Sequence, residues 1–191
     1  MRIHDLAEKN RSVRRFRQKN RISEKELLWF IDSARLAPCG GNLQLLRFTP
    51  VTESVHCSRI FPQLAWAGYL EDWNGPEEGE RPSAYIIIHT PFGEKRHIPV
   101  DAGIAAAYIV LAAKESGYGS CMIMSFNQKR IEEITGTPKG YFPFLVIALG
   151  TSGEETVLEK AEGDIRYYRD SKGRHHIPKL DLDEIITPIK E

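Results

Sequence analysis

Two short segments carry the side chains best suited to chemistry. In Asn10-Arg11-Ser12-Val13-Arg14-Arg15-Phe16, three guanidinium groups and a hydroxyl stand close together. Arginine forks grip phosphate oxygens in pairs, and a serine hydroxyl adds a further donor. In Ala37-Pro38-Cys39-Gly40-Gly41-Asn42-Leu43-Gln44, the two glycines allow a bent backbone that approaches a ligand closely. There Asn42 and Gln44 each offer a donor and an acceptor, which is what the edge of a planar heterocycle requires. Together the segments predict a site for a phosphorylated aromatic cofactor. Taken alone, the first segment is also consistent with a solvated basic turn, and the paired amides of the second favour the ligand.

Other chemistry-bearing residues read more plainly. Gly117-Tyr118-Gly119-Ser120 follows a helical pattern and leads into a strand, the reverse of a phosphate-binding loop, so it is expected to cap the helix. The six histidines, His175-His176 included, lack metal-ligand spacing, and the pair reads as part of a polar strand. Cys39, Cys57 and Cys121 form no C-x-x-C motif, so neither a disulfide framework nor a metal site is expected, and a cytoplasmic setting fits. No protease-like or esterase-like pattern surrounds Cys39, which reads as a small buried residue. Trp66, Tyr69 and Trp73 either wall a pocket for a second substrate or belong to the core.

The elements that must position these residues are legible from periodicity. Ser23 with Glu26 forms a capping box, and Leu27, Leu28, Ile31, Ala34 and Leu36 recur at helical spacing, predicting a helix over 24–37 that delivers Pro38 to Gln44 as a turn. Strands are expected at 48–51, 84–89, 120–124 and 144–149, with a helix near 55–70. The polar segment 71–82, rich in Gly and Pro, has the length of a gating wall over a pocket. Residues 101–116 form an Ala-rich helix apolar all round, to be buried either in its own core or against another subunit. The stretch 164–178 alternates and turns at Ser171 to Gly173 like a hairpin. This C-terminal arm, 164–191, has little core of its own and is expected to pack elsewhere.

The 191 residues suit a single domain, 1–191. Lys plus Arg equals Asp plus Glu at 26 each, so no global field favours nucleic acid or a membrane surface. The longest apolar run, 104–113, is too short for a span.

The chain resembles the FMN-dependent nitroreductase-like oxidoreductases. The family's R-S-x-R after a first short helix is present as Arg11-Ser12-Val13-Arg14, and its A-P-S-x-x-N-x-Q as Ala37-Pro38-Cys39-Gly40-Gly41-Asn42-Leu43-Gln44. The Ala-rich helix, the turn Gly117-x-Gly119-Ser120-Cys121-Met122-Ile123 and Gly136-Thr137-Pro138 match in order. The resemblance implies an α+β fold with a mainly antiparallel central sheet flanked by helices, in an interlocked homodimer with a C-terminal arm and FMN at the interface. It implies Arg11 and Ser12 at the phosphate and ribityl end, Arg14 at the N1 and O2 side of the ring, Gln44 among the cofactor-binding residues, and Pro38, Cys39, Gly40 and Asn42 from the other subunit. Met122, Ile123, Met124 and Ser125 would lie beside the flavin, and Arg174 or Lys179 would complete the phosphate site. The implied activity passes a hydride from NADH or NADPH through the flavin to an acceptor such as a nitroaromatic or quinone, with no catalytic residue beyond the flavin. A flavin-storing or sensing protein without turnover is the alternative, and a nucleic-acid patch a third reading that the balanced charge disfavours. The sequence departs from the family at Asn10, where a second basic residue is common, and at Leu45-Leu46, where Pro-Trp is usual.

Overall fold

The computed structural model describes residues 2–93 and 97–189. Its centre is a four-stranded antiparallel sheet in the order β1-β2-β4-β3, built from β1 (Arg47–Val51), β2 (Ala84–Pro91), β3 (Gly119–Ile123) and β4 (Tyr141–Gly150). The two central strands are apolar on both faces because both faces are covered. Ile86, Ile88, Leu145, Ile147 and Leu149 pack under the helices α2 (Glu24–Arg35) and α4 (His97–Glu115). Tyr85, Ile87, Val146 and Ala148 pack against α3 (Ser54–Ile60), α5 (Gln128–Thr135), Phe16 and Trp66 on the other side. Side chains alternate across a strand, so a run such as Tyr85-Ile86-Ile87-Ile88 feeds two cores at once. The expected α+β class with a mainly antiparallel sheet is the observed one.

The capping box holds as expected: the Ser23 hydroxyl accepts from the Glu26 amide while Glu26 accepts from the Ser23 amide at 2.8 Å. The helix expected near 55–70 is shorter. It ends at Ile60, gives one 3-10 turn over Phe61–Gln63 and then extends at Leu64. Pro62 has no N–H to continue the ladder, and Ala67 takes a positive φ of 41°.

By length and composition α4 could cross a membrane, but it lies on the sheet. Asp101, Ala102, Ala105, Ala106, Ile109, Val110 and Ala113 form its buried stripe, and Val100 and Tyr108 on the other side are exposed. Of the two burials expected for this helix, its own core takes one stripe only.

The hairpin half of the C-terminal arm pairs within its own chain, while Leu182, Ile185, Ile186 and Ile189 after it stand exposed. Strands β5 (Thr156–Lys160), β6 (Tyr168–Arg169) and β7 (His175–Lys179) form a second sheet in the order β5-β7-β6, β5 parallel and β6 antiparallel to β7. The turn at Ser171 to Gly173 closes the β6-β7 hairpin. The Gly153 amide donates to the Arg15 carbonyl at 2.8 Å and the Arg17 amide to the Thr151 carbonyl, which seats the connection between β4 and β5 against the N-terminal segment.

Candidate functional site

The N-terminal basic segment runs along the outer edge of β3. After α1 (Ile3–Lys9), Ser12 bridges Ser120 and the Val13 amide donates to the Ser120 carbonyl at 2.8 Å. Gly119 makes this approach possible, since a Cβ there would stand 2.8 Å from Val13 Cγ2. The Gly117-x-Gly119 pattern therefore does two jobs, a positive φ of 85° that ends the helix and a close backbone contact. Ser12 stays exposed, and the Arg11 guanidinium turns back to the Ala7 carbonyl. On the same edge Met122 and Met124 are 50% and 66% exposed, an apolar surface beside the donors. Ile123 points into the core instead, and the Ser125 carbonyl is taken by the Ala65 amide at 2.9 Å.

Arg14 behaves differently from its neighbours. It is only 9% exposed, its guanidinium lies 4.3 Å from the centre of the Tyr167 ring, and Nη1 donates to His175 Nε2 at 2.7 Å. His175 is fully buried, and burial together with the Arg14 charge pushes its pKa down to about 4, so the ring is neutral at pH 7. Glu154 sits beside them, its side chain 2% exposed, but its carboxylate accepts from the Arg14 and Arg15 amides and from Arg169 Nη2 at 2.9 Å. Among the described residues no carboxylate meets the Arg14 guanidinium. A buried cation with a neutral partner is costly unless something anionic or electron-rich completes it.

The second segment lies at the opposite edge of the sheet. It leaves α2 and leads directly into β1, and its geometry is strained: Gly41, Asn42 and Gln44 all have positive φ, at 57°, 54° and 50°. Gly40 donates to the buried Asp101 of α4 at 2.8 Å, and a Cβ on it would meet His97 at 3.0 Å. Asn42 and Gln44 are exposed, and Gln44 Nε2 donates to the Asn42 carbonyl and to Asn42 Oδ1 at 3.4 Å, so the two amides lie together on the surface of the segment. A cavity of about 280 Å³ opens between this segment and α2, lined by Pro38, Cys39, Gln44, Phe48 and Asp101. Cys39 is half-exposed rather than buried. The donor set fits a planar anionic group, but its two halves stand at the β1 and β3 edges, with β2 and β4 between them.

The remaining candidates scatter. Of the two placements expected for it, Trp66 takes the core, packed on Phe61 at 5.9 Å and covered by Gly75. Trp73 is sandwiched between Arg169, at 4.2 Å, and Arg15, at 6.0 Å, while Tyr69 is exposed and 4.9 Å from Tyr167. Arg174 is held by Asp170 at 2.7 Å, and Lys179 ends β7 in the open. The end of the 71–82 segment is anchored: Gln18 Oε1 accepts from the Gly79 and Arg81 amides, and the Phe16 amide donates to the Glu80 carbonyl. Sequence reading missed His175 as a contact of Arg14, and Tyr167, Glu154 and Arg169 altogether. Each acts through residues 15 to 161 positions away, and no local pattern marks such pairs.

Residues 7–151 match the family model of the nitroreductase family. The curated relatives include a Bacillus subtilis (strain 168) protein named "Putative NAD(P)H nitroreductase YodC", 26% identical over 76% of this chain and 87% of its own length. Among solved structures, an FMN-dependent nitroreductase from Clostridium difficile R20291 is 25% identical, with a TM-score of 0.68 over 97% of this chain and 98% of that one. A nitroreductase family protein from Clostridium novyi NT is also 25% identical, with a TM-score of 0.66 over 80% and 86%.

Proposed function

Because the chain belongs to the nitroreductase family, we propose that it is an FMN-dependent oxidoreductase passing a hydride from NADH or NADPH to an acceptor such as a nitroaromatic or quinone. The observation that carries this reading is the buried Arg14 guanidinium, which meets no carboxylate among the described residues, on a segment that runs along the same β3 edge as the exposed Met122 and Met124. Bound FMN would supply hydride acceptance and donation at N5, so the absence of an acid-base dyad from the site is no obstacle. Arg14 would offset the charge that accumulates at the N1 and O2 side of the ring, a preorganised role that needs no movement. Arg11 and Ser12 would hold the phosphate and ribityl end, and Met122 to Ser125 would line the ring.

Pro38, Cys39, Gly40, Asn42 and Gln44 would come from a second copy of the chain. Two observations support a homodimer. The segment carrying these residues stands at the opposite sheet edge from Arg14, and the outer side of α4 presents Val100 and Ile104 beside Cys39 and Gly40, with Tyr108 exposed one turn further on. The purified protein is expected to show an oxidised-flavin absorption spectrum that bleaches on anaerobic addition of NADH or NADPH and returns with an added quinone. Apoprotein that takes up no FMN in a titration overturns the proposal.

A further inference from the structure

We propose that His175 and Tyr167 are positioning residues which hold the Arg14 guanidinium, uncompensated, as the cationic contact of the flavin ring. The inference rests on the FMN reading above. Arg14 reaches its place from a backbone pinned on both sides, Val13 to Ser120 and the Arg14 amide to Glu154. Its side chain is then held at two points, by the His175 Nε2 lone pair at 2.7 Å and by the Tyr167 face at 4.3 Å, with the two rings 5.2 Å apart. Its other guanidinium donors have no partner among the described residues.

The choice of partners carries the argument. A carboxylate in place of His175 would fix the guanidinium equally well but would neutralise it, leaving less charge for a ligand. A neutral imidazole and an aromatic face fix the rotamer without cancelling the charge. Glu154, the nearby carboxylate, is kept from that role because Arg169 and two backbone amides engage both of its oxygens. The C-terminal hairpin, which supplies both His175 and Tyr167, thus serves the site from within its own chain.

The test is FMN titration and flavin midpoint potential in full-length variants. His175→Gln, which keeps a neutral acceptor, is expected to bind within about threefold of the parent. Expected losses are about tenfold or more for His175→Glu, which also lowers the midpoint potential, and about tenfold for Tyr167→Leu, with Tyr167→Phe near the parent. In an Arg14→Ala background, Tyr167→Leu is expected to change affinity by less than about twofold, because the guanidinium it acts through is gone. Additive losses, or a His175→Glu variant with unchanged affinity and potential, overturn the inference while leaving the FMN reading intact. A parent protein that binds no FMN overturns both. Thermal melting of each apoprotein separates loss of fold from loss of contact, and Tyr167→Leu with its Phe control decides the matter if His175→Glu does not fold.

Discussion

Arg14 and Ser12 both project from backbone that is tied down independently of their side chains, so the exposed Ser12 can be truncated without deleting core volume, whereas truncating Arg14 removes the proposed flavin contact together with its packing on Tyr167 and His175. Arg14→Ala is expected to weaken FMN binding by about 1.5–3 kcal/mol, the size of a charge-assisted hydrogen bond, and Ser12→Ala by about 0.5–1.5 kcal/mol. Equilibrium titration monitored by flavin fluorescence checks both values. The buried histidines set a pH window. His175 and His89 are both pushed down to about 4, chiefly by burial, whereas an unfolded histidine titrates near 6.5. Between those values the unfolded chain binds more protons than the folded one, so stability rises with pH across the window and is lost as pH falls through it. The groups facing His175 are Arg14, Arg169 and His176, which hold it neutral, and Glu154, which opposes them. Thermal melts of the apoprotein from pH 7 to pH 4 should show a falling midpoint, with a shallower slope in His175→Gln.

The segment after α3 shows how elements are decided by their neighbours. Pro62 stops the helix, Trp66 sinks into the core, and the chain folds back so that Gly75, at φ 113°, lies on the indole. A Cβ at Gly75 would stand 2.6 Å from Trp66 Cδ1, and the backbone conformation itself disfavours a side chain. Gly75→Ala is therefore expected to cost at least about 1–3 kcal/mol in denaturant unfolding, from backbone strain alone. Gln18 holds the far side of the same segment with three hydrogen bonds to Glu78, Gly79 and Arg81. Gln18→Ala is expected to lower stability by about 1–2 kcal/mol and to speed amide exchange at Gly79 and Arg81, with FMN affinity unchanged. If its acceptor profile across nitroaromatics and quinones also changes, the segment selects the second substrate; an unchanged profile assigns it a purely structural role.

At the scale of the whole molecule, the placement of the two candidate segments at opposite sheet edges is what makes assembly matter. On the proposed homodimer reading, Tyr108→Glu on the outer side of α4 is expected to give a folded monomer by sedimentation that has lost most of its FMN affinity. A monomer that keeps full affinity would mean that one chain holds the whole site.

The sheet strands, the α2 capping box, the turn that follows it and the resemblance carried by Arg11-Ser12-Val13-Arg14 are all legible in the amino-acid order. These are local: apolar runs, a cap three residues from its partner, glycines at fixed offsets. The end of α3 was legible too, in Pro62, but the apolar pattern running on past it masked that signal. The surroundings of Arg14 come from folding. His175 reads as one of two histidines in a polar hairpin until β7 is laid beside β5 and its ring meets a guanidinium 161 residues away. The same holds for Glu154 and Trp66, whose roles follow from what is packed on them. A buried charge is defined by which groups share its low-dielectric surroundings, and that is a property of the folded contact set rather than of any window of sequence.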